Sequence, residues 1–329
     1  MEKIAIYPPG TDWAFGQIYR AVKKYSKHDI SLFDAAADTS AFFDYDLVHV
    51  PCLINHVRLL KKQPKLSNKL CVSIHGVAEL YNYNPLTNEK RNTSKEEVES
   101  NILPKETIKY INSLGQVACI SDELVKLVTE NTTAKAYRIT FGVDPDIFYN
   151  VVTPQDRLTV ICPMARSYIE AMKTVHGYDV KRYHLILQLE KLLPEIKFLF
   201  LDKLVTIDEI SSFYKQGDIL ISTSHSEGSS GGFMEAGAMG VLPLTTVTGT
   251  VPEILEHGVN SILIKEQPED LMVKEVAKYL TYLNNDRAKL LHLRKEIQKN
   301  IFRTRLWSHV IPQWDDYFDD LLKIKKGIK

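Results

Sequence analysis

The chain of 329 residues has no excess charge, because 41 Lys and Arg stand against 41 Asp and Glu. That balance excludes a global attraction to nucleic acid or to a membrane, and leaves only local patches for such partners. Cysteine is scarce. Cys52, Cys71, Cys119 and Cys162 are scattered, with no metal-ligand spacing. They predict buried free thiols in a reducing compartment rather than a disulfide framework or a zinc site. No apolar run approaches the length of a membrane span, and the start MEKIAIYPPG carries no signal-peptide pattern. A cytoplasmic protein is therefore expected. Short-period repeats and low-complexity tracts are also missing. What remains is an ordinary globular composition, 44% apolar and 25% charged, long enough for two domains.

Short apolar runs recur along the first half: Lys3–Tyr7, Ile30–Phe33, Leu47–Val50, Leu70–Ile74 and Val117–Ile120. Stretches of helical spacing separate them. Ala14 to Tyr25 repeats apolar residues at Ile18, Ala21, Val22 and Tyr25, and Asp122 to Thr129 is a second such stretch. Strand and helix in alternation predict a doubly wound parallel sheet. The second half repeats the theme with strands at Leu158–Cys162, Ile196–Leu201, Asp218–Ile221, Val241–Thr246 and Ser261–Ile264. Amphipathic helices follow at Pro268–Leu283 and Asp286–Ile301.

The most informative stretch is Ser222 to Glu253. A buried strand runs into a loop in which Glu227 and Glu235 stand eight positions apart, with Gly228, Ser229, Ser230, Gly231, Gly232 and Phe233 between them. Glycine lets a backbone turn tightly and approach a ligand. The following FMEAGAMG predicts a helix whose amino end offers N–H groups and a positive dipole to a phosphate. Glu227 leaves the strand at its carboxyl end, where open α/β sheets place their ligands. Glu235, one turn into the helix, suits a pair of vicinal hydroxyls. The plain structural alternative is a corner in which Glu235 only compensates the helix dipole.

The wider pattern is more specific. Ser-x-x-Glu-Gly, Glu-Ala-Gly-Ala-Met-Gly, then Val-Pro-Glu-Ile with Glu256, Gly258 and Asn260 beyond resembles the donor-binding core of retaining GT-B glycosyltransferases, above all glycosyltransferase family 4. The resemblance implies an α/β GT-B fold: two Rossmann-like domains facing across a cleft, with a C-terminal helix crossing back to the first. It implies domains at 1–152, completed by 307–329, and at 153–306, with the boundary near Thr153-Pro154. The implied reaction moves a sugar from a nucleotide donor, expected to be UDP- or GDP-linked, to an acceptor hydroxyl without a metal or other cofactor. By the same resemblance Arg166 and a lysine clamp the diphosphate. Lys181 is preferred for that lysine and Lys173 is the alternative. The loop amides from Gly228 to Gly232 and Phe233 line the donor, Glu227 and His75 face the sugar, Glu235 holds the ribose, and Gly16 approaches the phosphates. Arg and Lys suit that task as a planar fork and a point charge.

Other features carry separate expectations. Arg58 to Lys69 holds five basic residues and no acid. It is either a solvated helix face or a local patch for an anionic acceptor, a membrane surface or a modified DNA base. Tyr81 to Lys105 is polar and irregular, a candidate acceptor loop. Asp144-x-Asp146 sits where a linker is expected and is not taken as a metal site. The stretch from Asp202 to Val205 is shorter than the family's usual one, as if one strand–helix piece were missing. Trp307, Trp314, Tyr317 and Phe318 would anchor the returning helix, with the nearby aspartates on a solvated face and a frayed basic tail from Lys323. The rivals to a transferase are a phosphorylase or sugar-nucleotide epimerase on the same fold, and a non-catalytic nucleotide-sugar-binding scaffold.

Overall fold

The computed structural model describes residues 2–7, 14–91, 93–153, 155–165, 169, 179–203, 205–229 and 231–327, without the side chains of residues 14, 15 and 95. The chain divides into two compact units. The first comprises Met1–Gly142 with Trp307–Lys329, and the second Val143–Leu306.

In the first unit, β1 (Lys3–Ile6), β2 (Asp29–Leu32), β3 (Leu47–Pro51) and β4 (Leu70–Ile74) are followed by a small ladder of β5 (Tyr83–Asn84) and β6 (Glu89–Lys90), then by β7 (Gln116–Cys119) and β8 (Lys135–Arg138). The main sheet has the order β2-β1-β3-β4-β7-β8, and every pairing in it is parallel. Every residue of β3 and β4 is buried, as a sheet covered on both faces demands. Helices on the two faces account for the sequence periodicity. Asp122–Asn131 is capped by Ser121, and Lys105–Leu114 ends at Gly115 in the left-handed region, φ +72°.

The last helix, Trp307–Lys325, belongs to this unit. Trp314 Nε1 donates to Thr140 O at 2.8 Å, Tyr317 OH donates to Val72 O at 3.1 Å, and the indole of Trp314 meets the Tyr19 ring edge-on. The aromatic anchors expected from the sequence are all buried. The aspartates are not all solvated, however. Asp315 is buried and accepts from Ser26 Oγ, because helix and Ser26 pack side by side. The helix also continues through Lys323 and Lys325, where fraying was expected.

In the second unit, β9 (Thr159–Ala165), β10 (Lys197–Leu201), β11 (Ile219–Ser222), β12 (Leu242–Thr246) and β13 (Ile262–Ile264) form a parallel sheet of order β10-β9-β11-β12-β13. Residues 143–152, expected in the first domain, fall in this unit. Val143 bridges Leu306, Phe148 packs on Tyr214, and Ile147 O accepts from Ser211 Oγ, so the chain joins the second core about ten residues before the proline. At the amino-terminal ends of β9 and β11, Asp218 is fully buried. It accepts from Arg294, from Arg287 at 3.2 Å and from Thr159 N at 3.0 Å.

The stretch from Tyr81 to Lys105 is more ordered than its composition suggests. The β5–β6 hairpin is followed by the short helix Lys95–Glu99, closed by a reciprocal capping box between Ser94 and Glu97. No helix among the described residues is long and apolar enough to cross a membrane.

Candidate functional site

In the second unit the chain leaves β9 toward β10 on one side and reaches β11 on the other. The carboxyl ends of β9 and β11 therefore flank the point where strand order reverses, the natural crevice of an open parallel sheet. Two segments meet there, the turn at 179–182 and the loop after β11.

Arg182 ties them together. It adopts φ +47°, is buried, and donates to Thr223 O at 2.7 Å and Ser224 O at 3.3 Å. Its guanidinium also forks onto both oxygens of Glu266, at 2.7 and 3.0 Å. Partial burial works against the charge of Glu266, but Arg182 and His225 hold its carboxyl below the usual range. Thr223 Oγ1 returns bonds to the carbonyls of Lys181 and Arg182, His225 N donates to Val180 O, and Thr246 Oγ1 donates to Ser224 O. The backbone at Lys181 is thereby fixed, and its side chain extends to Glu227. Lys181 Nζ lies 2.5 Å from Glu227 Oε1, with the two side chains 11% and 17% exposed.

Glycine is required one loop away. Gly249 has φ +51°, and a Cβ there would lie 2.2 Å from Gly228 O and 2.7 Å from Glu227 O. Only a bare backbone lets the loop after β12 lie against Glu227 and Gly228. Next to it, Thr250 Oγ1 and Ser229 Oγ share a hydrogen bond at 3.1 Å.

The helix Gly231–Ala238 starts at this loop. A Cβ on Gly231 would enter open space, and one on Gly232 would meet only Tyr214 OH, at 3.4 Å. Phe233 points into the core. On the far side a Cβ on Gly237 would lie 2.8 Å from Ile297, so this short helix is seated directly on the helix Arg287–Thr304. Its first N–H groups have no partner within the helix, as at any amino terminus. Glu235 lies one turn in, half-buried, and accepts from Tyr214 OH at 3.0 Å. Burial pushes its carboxyl up to about 7, and the Tyr214 bond works in the opposite direction. Tyr214 itself is raised well above the ordinary phenol, by burial first and by the charge of Glu235 second.

His75 is in the first unit, just beyond β4. It is buried and stacked on Phe141, with an interplanar angle of 16°. Its Nε2 lies 2.7 Å from Ser73 Oγ and 3.2 Å from Tyr19 OH, and Ser73 Oγ is 3.0 Å from His49 Nε2. Burial lowers both His75 and His49 to about 3, so both rings are neutral at physiological pH. Glu79 accepts from His75 N at 2.8 Å and Leu53 N at 2.9 Å, and burial lifts its carboxyl to about 7. Gly16 is buried in the first turn of the helix Ala14–Tyr25.

The structure thus brings together Lys181, Glu227, Gly228, Ser229, Gly231, Gly232 and Glu235 around one strand end. Arg166, Lys173 and Ser230 lie outside the described residues. Asp144 Oδ1 caps Asp146 N at 3.1 Å, and no group of three or more His, Cys, Asp or Glu among the described residues is placed to hold a metal. Sequence reasoning missed Arg182, Glu266 and Tyr214. Their only local signals are a second basic residue beside Lys181, an acid just past a strand and an aromatic closing a short helix.

Comparison with known proteins adds the following. Residues 159–301 match the family described as glycosyl transferases group 1. No curated protein matches the chain. Among solved structures, sucrose-phosphate synthase (tll1590) from Thermosynechococcus elongatus superposes with a TM-score of 0.67 at 12% identity, covering 98% of this chain and 100% of that one. Anabaena Alr3699/HepE in complex with UDP gives 0.66 at 14% identity, covering 97% and 100%. The pneumococcal O-GlcNAc transferase GtfA, in complex with UDP and GlcNAc, gives 0.59 at 14%, covering 84% of this chain and 57% of that one. The fold is α/β of the GT-B type, as the Glu227–Glu235 corner implied, and the second unit carries the group 1 glycosyl transferase match.

Proposed function

We propose that this chain is a retaining, metal-independent glycosyltransferase that takes a nucleotide-sugar donor in its second unit. The observation that carries the reading is the Lys181–Glu227 pair beside the amino end of Gly231–Ala238, with Glu235 one turn further on. A cation, a row of amides and two carboxylates on one strand-end crevice match a diphosphate flanked by hydroxyl-bearing rings. The UDP held by HepE and GtfA makes a UDP-sugar the first donor to try.

Lys181 has one ammonium and two anions to serve. Its Nζ is paired with Glu227. An arriving diphosphate takes over the ammonium, and Glu227 is released to accept hydroxyls of the donor sugar or to face its developing positive charge. Glu235 accepts the ribose hydroxyls, with Tyr214 holding one of its oxygens. Arg166 is assigned by the sequence pattern to the same diphosphate. In the reaction the bond from the anomeric carbon to the β-phosphate oxygen breaks, and a bond to the acceptor oxygen forms on the same face. The acceptor's proton passes to the leaving phosphate. Positive charge fixed beforehand around that phosphate stabilises the departing group. The resemblance alone assigns His75 to the sugar; its ring is neutral and buried within the first unit. A cytoplasmic location fits a nucleotide-sugar supply.

The test is Glu227→Ala in a folded protein, assayed for sugar transfer and for donor hydrolysis. Turnover should fall about a hundredfold or more, the scale of losing one preorganised electrostatic contact. Near-normal transfer would remove Glu227 from the mechanism.

A further inference from the structure

The sheet of the second unit ends on an open strand. β10 pairs with β9 on one side and has no strand on the other among the described residues. Lys197 N donates to Leu158 O at 2.9 Å. Bonding alternates along such a ladder, so Lys197 and Leu199 turn their N–H and C=O groups toward β9, and Phe198 and Phe200 turn theirs outward. An outward row of this kind is a template for another strand.

The other edges of the two main sheets are guarded or short. β8 carries Lys135 and Arg138 at its two ends, Ser31 interrupts β2, and β13 is three residues long. After its single lysine β10 reads Phe-Leu-Phe-Leu, and all four apolar residues are only half-buried. Phe198 and Phe200 share one face, with ring centroids 6.4 Å apart and an interplanar angle of 14°, and Leu199 and Leu201 share the other.

This edge is complementary to itself. When two copies run antiparallel about Leu199, Phe198 of one falls opposite Phe200 of the other. That is the pair whose outward N–H and C=O groups exchange two hydrogen bonds, and Leu199 meets Leu199 in the close, unbonded position. The same register sets Glu195 opposite Lys203 on both sides of the axis, and both residues are exposed. Opposite charges facing across strands favour pairing. Centring on Phe200 instead would set Lys197 against Lys203, and centring on Phe198 would set Glu195 against Leu201, so the charges select one register.

We propose that this edge is the contact between two copies of the chain, which pair β10 with β10 and join their five-stranded sheets into one. A two-fold axis at Leu199 uses each edge once and closes the assembly at a dimer. The contact runs along β10, whereas the crevice described above lies between β9 and β11, so the dimer stands whether or not the proposed transferase activity does. A contact of one short strand is small, and dissociation in the micromolar range is expected.

The experiment is sedimentation velocity of the full chain from micromolar to submillimolar concentration. A monomer–dimer equilibrium is expected, with no larger species. Leu199→Lys places two like charges face to face on the axis and should weaken the dimer at least about tenfold. Glu195→Lys and Lys203→Glu, both at exposed positions, should each weaken it about tenfold, because each sets like charges opposite one another twice. The double variant Glu195→Lys/Lys203→Glu should return it to near the wild-type value. Thermal melting separates loss of contact from loss of fold, and the charge variants decide the matter should Leu199→Lys not fold. A monomer at every concentration overturns the proposal. So does a dimer that ignores these substitutions, a double variant as weak as the single ones, or growth beyond the dimer.

Discussion

The two units share a frame and differ in what they set upon it. Each has a parallel sheet in which the second strand flanks the first on one side and the later strands follow on the other, and the first unit adds one more edge strand, β8. At the strand ends of the second unit the proposed donor site is charged: Lys181 pairs with Glu227, and Glu235 lies beside a helix terminus. In the first unit, the corresponding side chains are neutral and buried: His49, Ser73, His75 and Tyr19 bonded to one another. The sheet topology places a site, and the loops decide whether that site handles charge. The second unit makes the same point internally. Its other buried ion pair, Asp218 with Arg294, lies at the opposite ends of the strands and only holds elements together.

The largest expected effect separates those two ion pairs. Asp218→Ala leaves Arg294, 2% exposed, without its partner. It should cost about 3–5 kcal/mol by denaturant unfolding. Glu227→Ala should cost less, because Lys181 and Glu227 keep 11% and 17% exposure and the freed ammonium can reach water. The order for nucleotide-sugar turnover per folded molecule should be reversed. If both variants lost stability equally, the division into holding and handling pairs would fail.

Gly249→Ala comes next. The residue has φ +51° and its Cβ would strike the carbonyl of Gly228. A stability loss of more than about 1 kcal/mol is expected, together with weakened donor affinity, because the loop must retreat from Glu227. Wild-type affinity would show that the close approach is incidental.

The units should also respond oppositely to acid. His49 and His75, lowered to about 3, and His56, lowered to about 4, are neutral when folded but take up protons near 6.5 when unfolded. Their contribution is full above 6.5 and is lost as pH falls toward the folded values, at about 1.4 kcal/mol per pH unit for each ring. Glu79, raised to about 7, works in the opposite sense and offsets one of them. In the second unit Glu235, also raised to about 7, is protonated when folded and ionised when unfolded between about 4.5 and 7, so its effect grows more favourable as pH falls. Hydrogen exchange between pH 6.5 and 4.5, corrected for intrinsic rates, should show protection falling in the first unit and holding in the second.

How much of this was legible in the sequence differs between the units for a physical reason. Strands buried on both faces, such as Leu47–Pro51, announce themselves as continuous apolar runs, and the turn from β11 into Gly231–Ala238 announces itself by its glycines. The alternation of elements and the Glu227–Glu235 corner were therefore readable. What was not readable depends on pairing at a distance. Arg182 and Glu266 are 84 residues apart, Ser26 and Asp315 are 289 apart, and no local periodicity links either pair. The first residues of the second unit, 143–152, were assigned to the first for a related reason. Only the packed core decides where a linker ends.

The smallest effect sharpens the comparison at one atom. Tyr214→Phe removes the bond that draws Glu235 down from its burial-raised value. The pH midpoint for donor binding, expected near 7 with affinity rising as the carboxylate forms, should move upward, and the affinity at high pH should change severalfold at most. An unmoved midpoint would mean that the carboxylate of Glu235 is not what the donor meets.

The central claim is that Lys181 exchanges Glu227 for a diphosphate, and calorimetric titration of UDP into three proteins tests it most directly. The account predicts measurable binding to the wild type, loss of about tenfold or more in Lys181→Met, and tighter binding in Glu227→Gln, because the ammonium no longer has to be drawn off a carboxylate. UDP affinity that is unchanged in Lys181→Met, or that falls in Glu227→Gln as far as it does in Lys181→Met, would contradict it.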